Sequence, residues 1–161
     1  MAKTSYLPEG YNAITPSLAF KGADAAITWY QNVFGAKEKM RMDGPDKKIM
    51  HAELKIGDSI IMLTDEFPEM KCLSPQSIGG SPVSMFLYVE DVDTIFNRAV
   101  SAGSHVLDPV KDQFWGDRHG RLEDPFGHVW SISTHKVDLS PAELRKAAEE
   151  AFAEMSKNIK E

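Results

Sequence analysis

Two short stretches of this 161-residue chain crowd together side chains that do chemistry. GDRHGRLEDPFGHVWSI, residues 116–132, sets His119 and His128, Arg118 and Arg121, and the acidic Asp117, Glu123 and Asp124 around a tight-turn signal. KIMHAELKI, residues 48–56, places His51 two positions before Glu53. Imidazole and carboxylate are the common donors to divalent metals and the common general acids and bases, and a guanidinium grips a carboxylate or phosphate through parallel hydrogen bonds. Three chemistries are therefore open: a metal held by His51, Glu53 and His119, proton transfer by Glu53 or a histidine, and anion binding by Arg121. Which of them is available depends on which side chains share a face of a sheet.

The elements that position these residues occur twice in the same order. ITPSLAF alternates as a strand, and GADAAITWYQNVFG reads as a helix with Ile27, Tyr30 and Phe34 on one side and Gly35 as C-cap. Three strands follow, AKEKMRM, KIMHAELKI and SIIMLTD, separated by the turn signals DGPDK and GD. After a Pro- and Gly-rich loop, VSMFLYV reads as a strand and DVDTIFNRAVSAG as a helix with Asp91 as N-cap and Gly103 closing it. HVLDPVKDQF, DRHGRLE and HVWSIST supply three more strands. A shift of 69 residues carries Thr15 onto Ser84, Leu18 onto Leu87, Ile27 onto Phe96 and Met62 onto Ser131, so both halves are βαβββ. The expected fold is α+β: a first module over 12–65, an inter-module loop over 66–81, a second module over 82–136 and an amphipathic helix over 140–160, together one structural domain. Each module would be a small curved mixed sheet with its helix on the convex face, and two such sheets would enclose a cleft.

Turn chemistry sets the register. Asp124-Pro125-Phe126-Gly127 suits a type I turn continued by a glycine bulge, which opposes Leu122 to Trp130, Arg121 to Ser131 and His119 to Ser133. Gly57-Asp58 as a two-residue loop opposes Glu53 to Met62 and His51 to Thr64, with Met50, Ala52, Leu54 and Ile56 turned to the helix. The concave lining then comprises Thr15, Ser17, His51, Glu53, Met62 and Thr64 from the first module. The second adds Ser84, Phe86, Tyr88, His119, Arg121, Ser131 and Ser133, with Phe114 and Trp115 near the mouth. Trp29 and Trp130 read as core, while Asp117 and Arg118 point away into solvated ion pairing. Arg121 either pairs with Glu53 to seal the interior or grips an anionic ligand; a planar aromatic ligand could stack on Trp115 or Tyr88.

Composition removes several classes. With 18 Lys and Arg against 24 Asp and Glu, the formal charge of -6 opposes nucleic-acid binding. Cys72 is the single cysteine, so no internal disulfide forms, and neither a signal peptide in MAKTSYLPEG nor a membrane-spanning run is expected. The expectation is a cytoplasmic protein. SPAELRKAAEEAFAEMSKNIKE opens with a Ser140/Glu143 capping box and carries an apolar stripe, Leu144, Ala148, Ala151, Phe152, Met155 and Ile159, that packs on its own protomer or a dimer mate.

Paired βαβββ modules, the segment WYQNVFGAK and the ending DPFGHVWSI resemble the vicinal oxygen chelate superfamily, which includes glyoxalase I, extradiol dioxygenases, fosfomycin-modifying enzymes and bleomycin-binding resistance proteins. FWGDRHGRLEDPFGHVWSISTH is most similar to the PhnB-like branch, and the resemblance spans residues 12–136. It implies that metal-bearing members hold their ion through a His, Glu or Gln in the first and last strand of each module. Those points fall here on Thr15, Met62, Ser84 and Ser131. Neutral hydroxyls bind divalent ions weakly and a thioether suits soft ions, so no metal and no cofactor are expected.

The reading that follows is a metal-independent small-molecule-binding protein of the glyoxalase/bleomycin-resistance type, acting as a homodimer on an anionic or aromatic molecule held in the cleft between modules. Its binding set is His51, Glu53, Met62, Phe86, Tyr88, Trp115, His119, Arg121 and Ser131. The alternatives are a glyoxalase-like lyase, dioxygenase or transferase using Glu53 or a histidine such as His51 as base, and a scaffold whose cleft is filled by its own side chains. No nucleophile, cofactor loop or paired-acid signature fixes a reaction.

Overall fold

Apolar residues spaced three and four apart make α1, Ala23–Phe34, a one-sided helix: Ala23, Ala26, Ile27, Tyr30 and Val33 are all buried. The computed structural model describes residues 4–158. Around α1 the chain forms β1 (Ser17–Phe20), β2 (Lys37–Asp43), β3 (Ile49–Ile56) and β4 (Ser59–Asp65), a four-stranded mixed sheet in the order β1-β4-β3-β2 with β1 parallel to β4. The second sheet repeats this with β5 (Ser84–Tyr88), α3 (Val92–Ser101), β6 (His105–Asp112), β7 (Asp117–Glu123) and β8 (Val129–His135), in the order β5-β8-β7-β6 with β5 parallel to β8. The fold is α+β, built of two βαβββ modules and a C-terminal helix, α4 (Pro141–Asn158). The chain clusters into two compact units; the first runs to Pro82 and takes in Pro125–His128, and the second comprises Val83–Asp124 and the chain from Val129 onward.

One equivalence of the modules lies in how their helices begin. Gly22, the N-cap of α1, has no side chain, and the Asp65 carboxylate at the end of β4 accepts from the Gly22 and Ala23 N–H groups at 3.1 and 2.9 Å. In the second module Asp91 caps α3 itself, accepting from Thr94 N–H, and Thr134 Oγ1 at the end of β8 accepts from Val92 N–H at 2.8 Å. The same strand end thus serves the orphan amides of each helix.

Three local expectations are corrected. The first strand begins at Ser17, not Ile14: Pro16 has no N–H for a ladder, and Thr15 stands before the strand with its hydroxyl donating to the Asn12 carbonyl at 3.0 Å. Met50 is exposed and Ile49 buried, because a register shift opposite Met42 and Asp43 breaks the alternation at the start of β3. The inter-module loop contains a 3-10 turn, Pro68–Met70, and the short helix α2, Pro75–Ile78.

That loop is fastened by Glu66, whose Oε2 accepts from the Ser74 N–H, Ser74 Oγ and Ser77 Oγ at 3.1, 2.8 and 2.7 Å. These donors, Ser77 first, lower its pKa from 4.5 to about 2. A depressed carboxylate stabilises the fold fully above its unfolded value and loses that contribution as pH falls through the folded one. Urea titrations of wild type and Glu66→Gln should therefore differ most near neutral pH and converge between pH 4.5 and about 2. A gap that stays constant across that window would show the anchor to be charge-independent.

The Ser140/Glu143 box forms as expected, with Glu143 Oε2 accepting from Ser140 N–H at 2.8 Å and Ser140 Oγ accepting from Glu143 N–H at 3.3 Å. Of the α4 stripe, Leu144, Phe152 and Met155 remain exposed, with Phe152 edge-on to Phe114; Ile159 lies outside the described residues. Among the described residues no helix is long and apolar enough to cross a membrane.

Candidate functional site

The β7–β8 hairpin has the register its turn chemistry demands: Leu122 opposes Trp130, Arg121 opposes Ser131 and His119 opposes Ser133. Gly127 supplies the positive φ, 89°, that the bulge requires. Leu122, Trp130 and Ile132 are buried on the helix side, which leaves the other face of the sheet to polar and aromatic residues.

That face carries an aromatic group. Phe86 and Tyr88, alternate residues of β5, are 52% and 60% exposed with ring centroids 5.1 Å apart. The buried His119 ring lies nearly parallel to Phe86, at 5.4 Å and 12°, and Trp115 meets His119 edge-on at 5.6 Å. His119 Nδ1 is 2.9 Å from Ser133 Oγ, and burial pushes the imidazole pKa below its ordinary value. Its ring is thus neutral at physiological pH. A cleft of about 570 Å³ opens beside Tyr88, Glu90, Thr134 and His135, and another of about 490 Å³ beside Gln113, Asp117, Arg118 and Lys136.

Asp117 does not point away into solvent. It is 3% exposed and central: Oδ2 accepts from Tyr88 O–H at 3.0 Å and Trp115 Nε1–H at 3.1 Å, and Oδ1 lies 2.7 Å from His135 Nδ1. Burial works to raise its pKa, but donation by His135, Tyr88 and Trp115 outweighs burial and holds the carboxyl below its usual range. His135 reaches Asp138 Oδ1 through Nε2 at 3.0 Å, and its two carboxylates, Asp117 first, raise its pKa. Neither role of Asp117 nor His135 was anticipated, yet alternation could have found both. Asp117 precedes His119 by two positions on β7, and His135 follows Ser133 by two on β8.

Arg121 has its ion-pair partner within its own sheet. Its Nη1 pairs with Asp108 Oδ2 at 3.0 Å, because Asp108 is its cross-strand neighbour on β6, and the side chain is 44% exposed. Arg118 does form ion pairs, with Asp93 at 2.6 Å and Asp112 at 3.2 Å. His128, the other histidine of the motif, is buried in the first unit with Nε2 3.1 Å from the Ala19 carbonyl oxygen and its ring against Phe20.

In the first module Glu53 opposes Met62 as expected, and His51 Nε2 lies 3.2 Å from Glu53 Oε1. A hydrogen bond from the Tyr11 hydroxyl, opposed by burial and aided by His51, holds the Glu53 carboxyl below its ordinary range. Such a carboxylate is a weaker proton acceptor than a free one. Thr64 turns its hydroxyl onto the β3 backbone, 3.1 Å from the Met50 carbonyl oxygen.

The coordinating positions of the fold do not suit a divalent cation. Ser84 Oγ and Ser131 Oγ are hydrogen-bonded to each other at 3.1 Å, Thr15 is committed to Asn12, and Met62 offers a thioether. Among the described residues no group of three or more His, Cys, Asp or Glu side chains is arranged to hold a metal ion.

Two repeated βαβββ sheets with this topology are the architecture of a known superfamily, and the chain belongs to it: residues 13–132 match the Glyoxalase/Bleomycin resistance protein/Dioxygenase superfamily. An uncharacterised protein of Mycobacterium tuberculosis (strain ATCC 25618 / H37Rv) is 42% identical over 138 residues, covering 84% of this chain and 81% of that one. The crystal structure of TioX from Micromonospora sp. ML1 superposes with a TM-score of 0.60 at 28% identity, over 80% of this chain and 100% of TioX. The PhnB protein of Bacillus cereus, at 19% identity, shares the fold with a TM-score of 0.60 over 76% of this chain and 99% of its own.

Proposed function

We propose that the protein is a metal-independent binding protein for a small planar aromatic molecule, held against β5 of the second module by Phe86, Tyr88, His119 and Trp115. The observation that carries this reading is the pair of half-exposed rings, Phe86 and Tyr88, backed by an imidazole already stacked parallel to one of them. Water-exposed aromatic faces gain from burial, and an offset stack adds about 0.5–1.5 kcal/mol beyond area. Ser84 and Ser131 supply hydroxyls at the edge of this wall for orientation. Arg121 is already engaged by Asp108, which weighs the ligand toward aromatic rather than purely anionic character. The low Glu53 pKa removes support from the reading in which that residue is a general base.

A thermal-shift screen comparing planar aromatic compounds with saturated analogues of equal charge tests this, because a ligand of the folded state raises the melting temperature. Aromatic hits are expected, and Phe86→Ala should weaken them by about tenfold or more. Its ligand-free stability should fall by about 1 kcal/mol, from the ring contacts with His119 and Tyr88 that are lost. Hits that bind Phe86→Ala with undiminished affinity contradict the placement.

A further inference from the structure

We propose that Asp117, clamped by His135, is the positioning residue of the aromatic face, its carboxylate fixing the Tyr88 and Trp115 rings in place before a ligand arrives. The inference rests on the reading of that face as a binding surface and adds to it the group that preorganises it.

A single buried oxygen, Asp117 Oδ2, accepts from two rings on different segments: Tyr88 on β5 and Trp115 in the turn leading into β7. Tyr88 is mostly exposed, so packing alone leaves its ring free to turn, and the hydroxyl contact supplies the missing restraint. Trp115 is in turn edge-on to His119, which is stacked on Phe86, so one carboxylate orders the group from beneath. Rings held in the bound arrangement lose less freedom on association, and affinity rises accordingly.

His135 completes the clamp. Its nitrogens face Asp117 and Asp138, and a ring that donates to both must be an imidazolium, which compensates the buried charge of Asp117. The charged groups around the pair are Glu90, which lines one cleft with Tyr88 and His135, and Asp112, Arg118 and Lys136, which line the other with Asp117. Arg118 is already paired with Asp93 and Asp112. Being raised, the His135 pKa keeps the double contact complete below the ordinary histidine range; the contact is lost as pH rises through the folded value.

The test needs no ligand in its first arm. The three tryptophans, Trp29, Trp115 and Trp130, give separate indole N–H signals by NMR, and Trp115→Phe assigns the one of interest. In wild type this N–H should be protected and its shift should titrate with His135. Asp117→Ala should speed its solvent exchange by about tenfold or more, with Trp29 and Trp130 unchanged as the control for folding. Asp117→Asn should retain the protection, since an amide oxygen still accepts from both rings and its NH2 donates to a neutral His135 Nδ1. In the second arm, 2-naphthoate should bind Asp117→Ala about tenfold more weakly than wild type and Asp117→Asn within about threefold. An unchanged Trp115 signal in Asp117→Ala, or an Asp117→Asn variant as impaired as alanine, overturns the inference. Failure of wild type to bind aromatic probes would count against the binding face itself, while the indole signals still decide what Asp117 does.

Discussion

Trp130→Ala is expected to lower the unfolding free energy by roughly 3–5 kcal/mol, the range for emptying a large buried aromatic site. Trp130 is 3% exposed, opposes the fully buried Leu122 across the hairpin, and donates its Nε1–H to Asp124 Oδ2 at 3.0 Å. Truncation removes the packing and also one donor to a buried carboxylate, a second cost of about 1–3 kcal/mol if no water replaces it. Trp130→Phe keeps most of the packing and should lose distinctly less. Urea midpoints at constant m-value measure both. A loss under about 1 kcal/mol for the alanine variant would mean that this ring does not anchor the helix side of the sheet.

Gly116→Ala should cost about 3 kcal/mol, combining a left-handed backbone with overpacking. Gly116 has φ 97°, and a Cβ there would stand 2.3 Å from the Val137 carbonyl oxygen. The contact is tight because Lys136 N–H and Val137 N–H both donate to the Gly116 carbonyl at 3.0 Å, drawing the chain after β8 against the turn that carries Trp115. Gly57 is the control: its φ is 58° but no atom lies within 4 Å of an added Cβ. Gly57→Ala should therefore cost about 1 kcal/mol, the backbone part alone. Equal losses at the two positions would show that the close approach of residues 116 and 137 is not a constraint.

Much of this architecture could be read from side-chain periodicity. The segments SIIMLTD and DRHGRLE match β4 and β7 to the residue, since turn residues bound each of them. Pro and Gly at defined turn positions fixed the β7–β8 pairing, and with it the opposition of His119 to Ser133. The departures have physical causes as particular as the successes. Met50 escaped because a bulge cancels the alternation locally, and no turn residue announces it. The partner of Arg121 escaped because β6 pairs with β7 through two register shifts, so counting from the β6–β7 turn does not lead to Asp108. Asp117 was misplaced as a surface residue although its spacing from His119 put it on the inner face; a carboxylate is costly to bury, and only the convergence of Tyr88, Trp115 and His135 makes burial tolerable. Convergence of that kind joins three separate elements, and no local pattern encodes it.

The most direct test of the proposed binding face is chemical-shift mapping with 2-naphthoate against cyclohexanecarboxylate, two probes of equal charge that differ in aromaticity. Saturable shifts centred on Phe86, Tyr88, His119 and Trp115 are expected for the aromatic probe, and none there for the saturated one. Equal shifts from both probes, or aromatic shifts centred on Arg121 or on the His51–Glu53 pair instead, would contradict that placement.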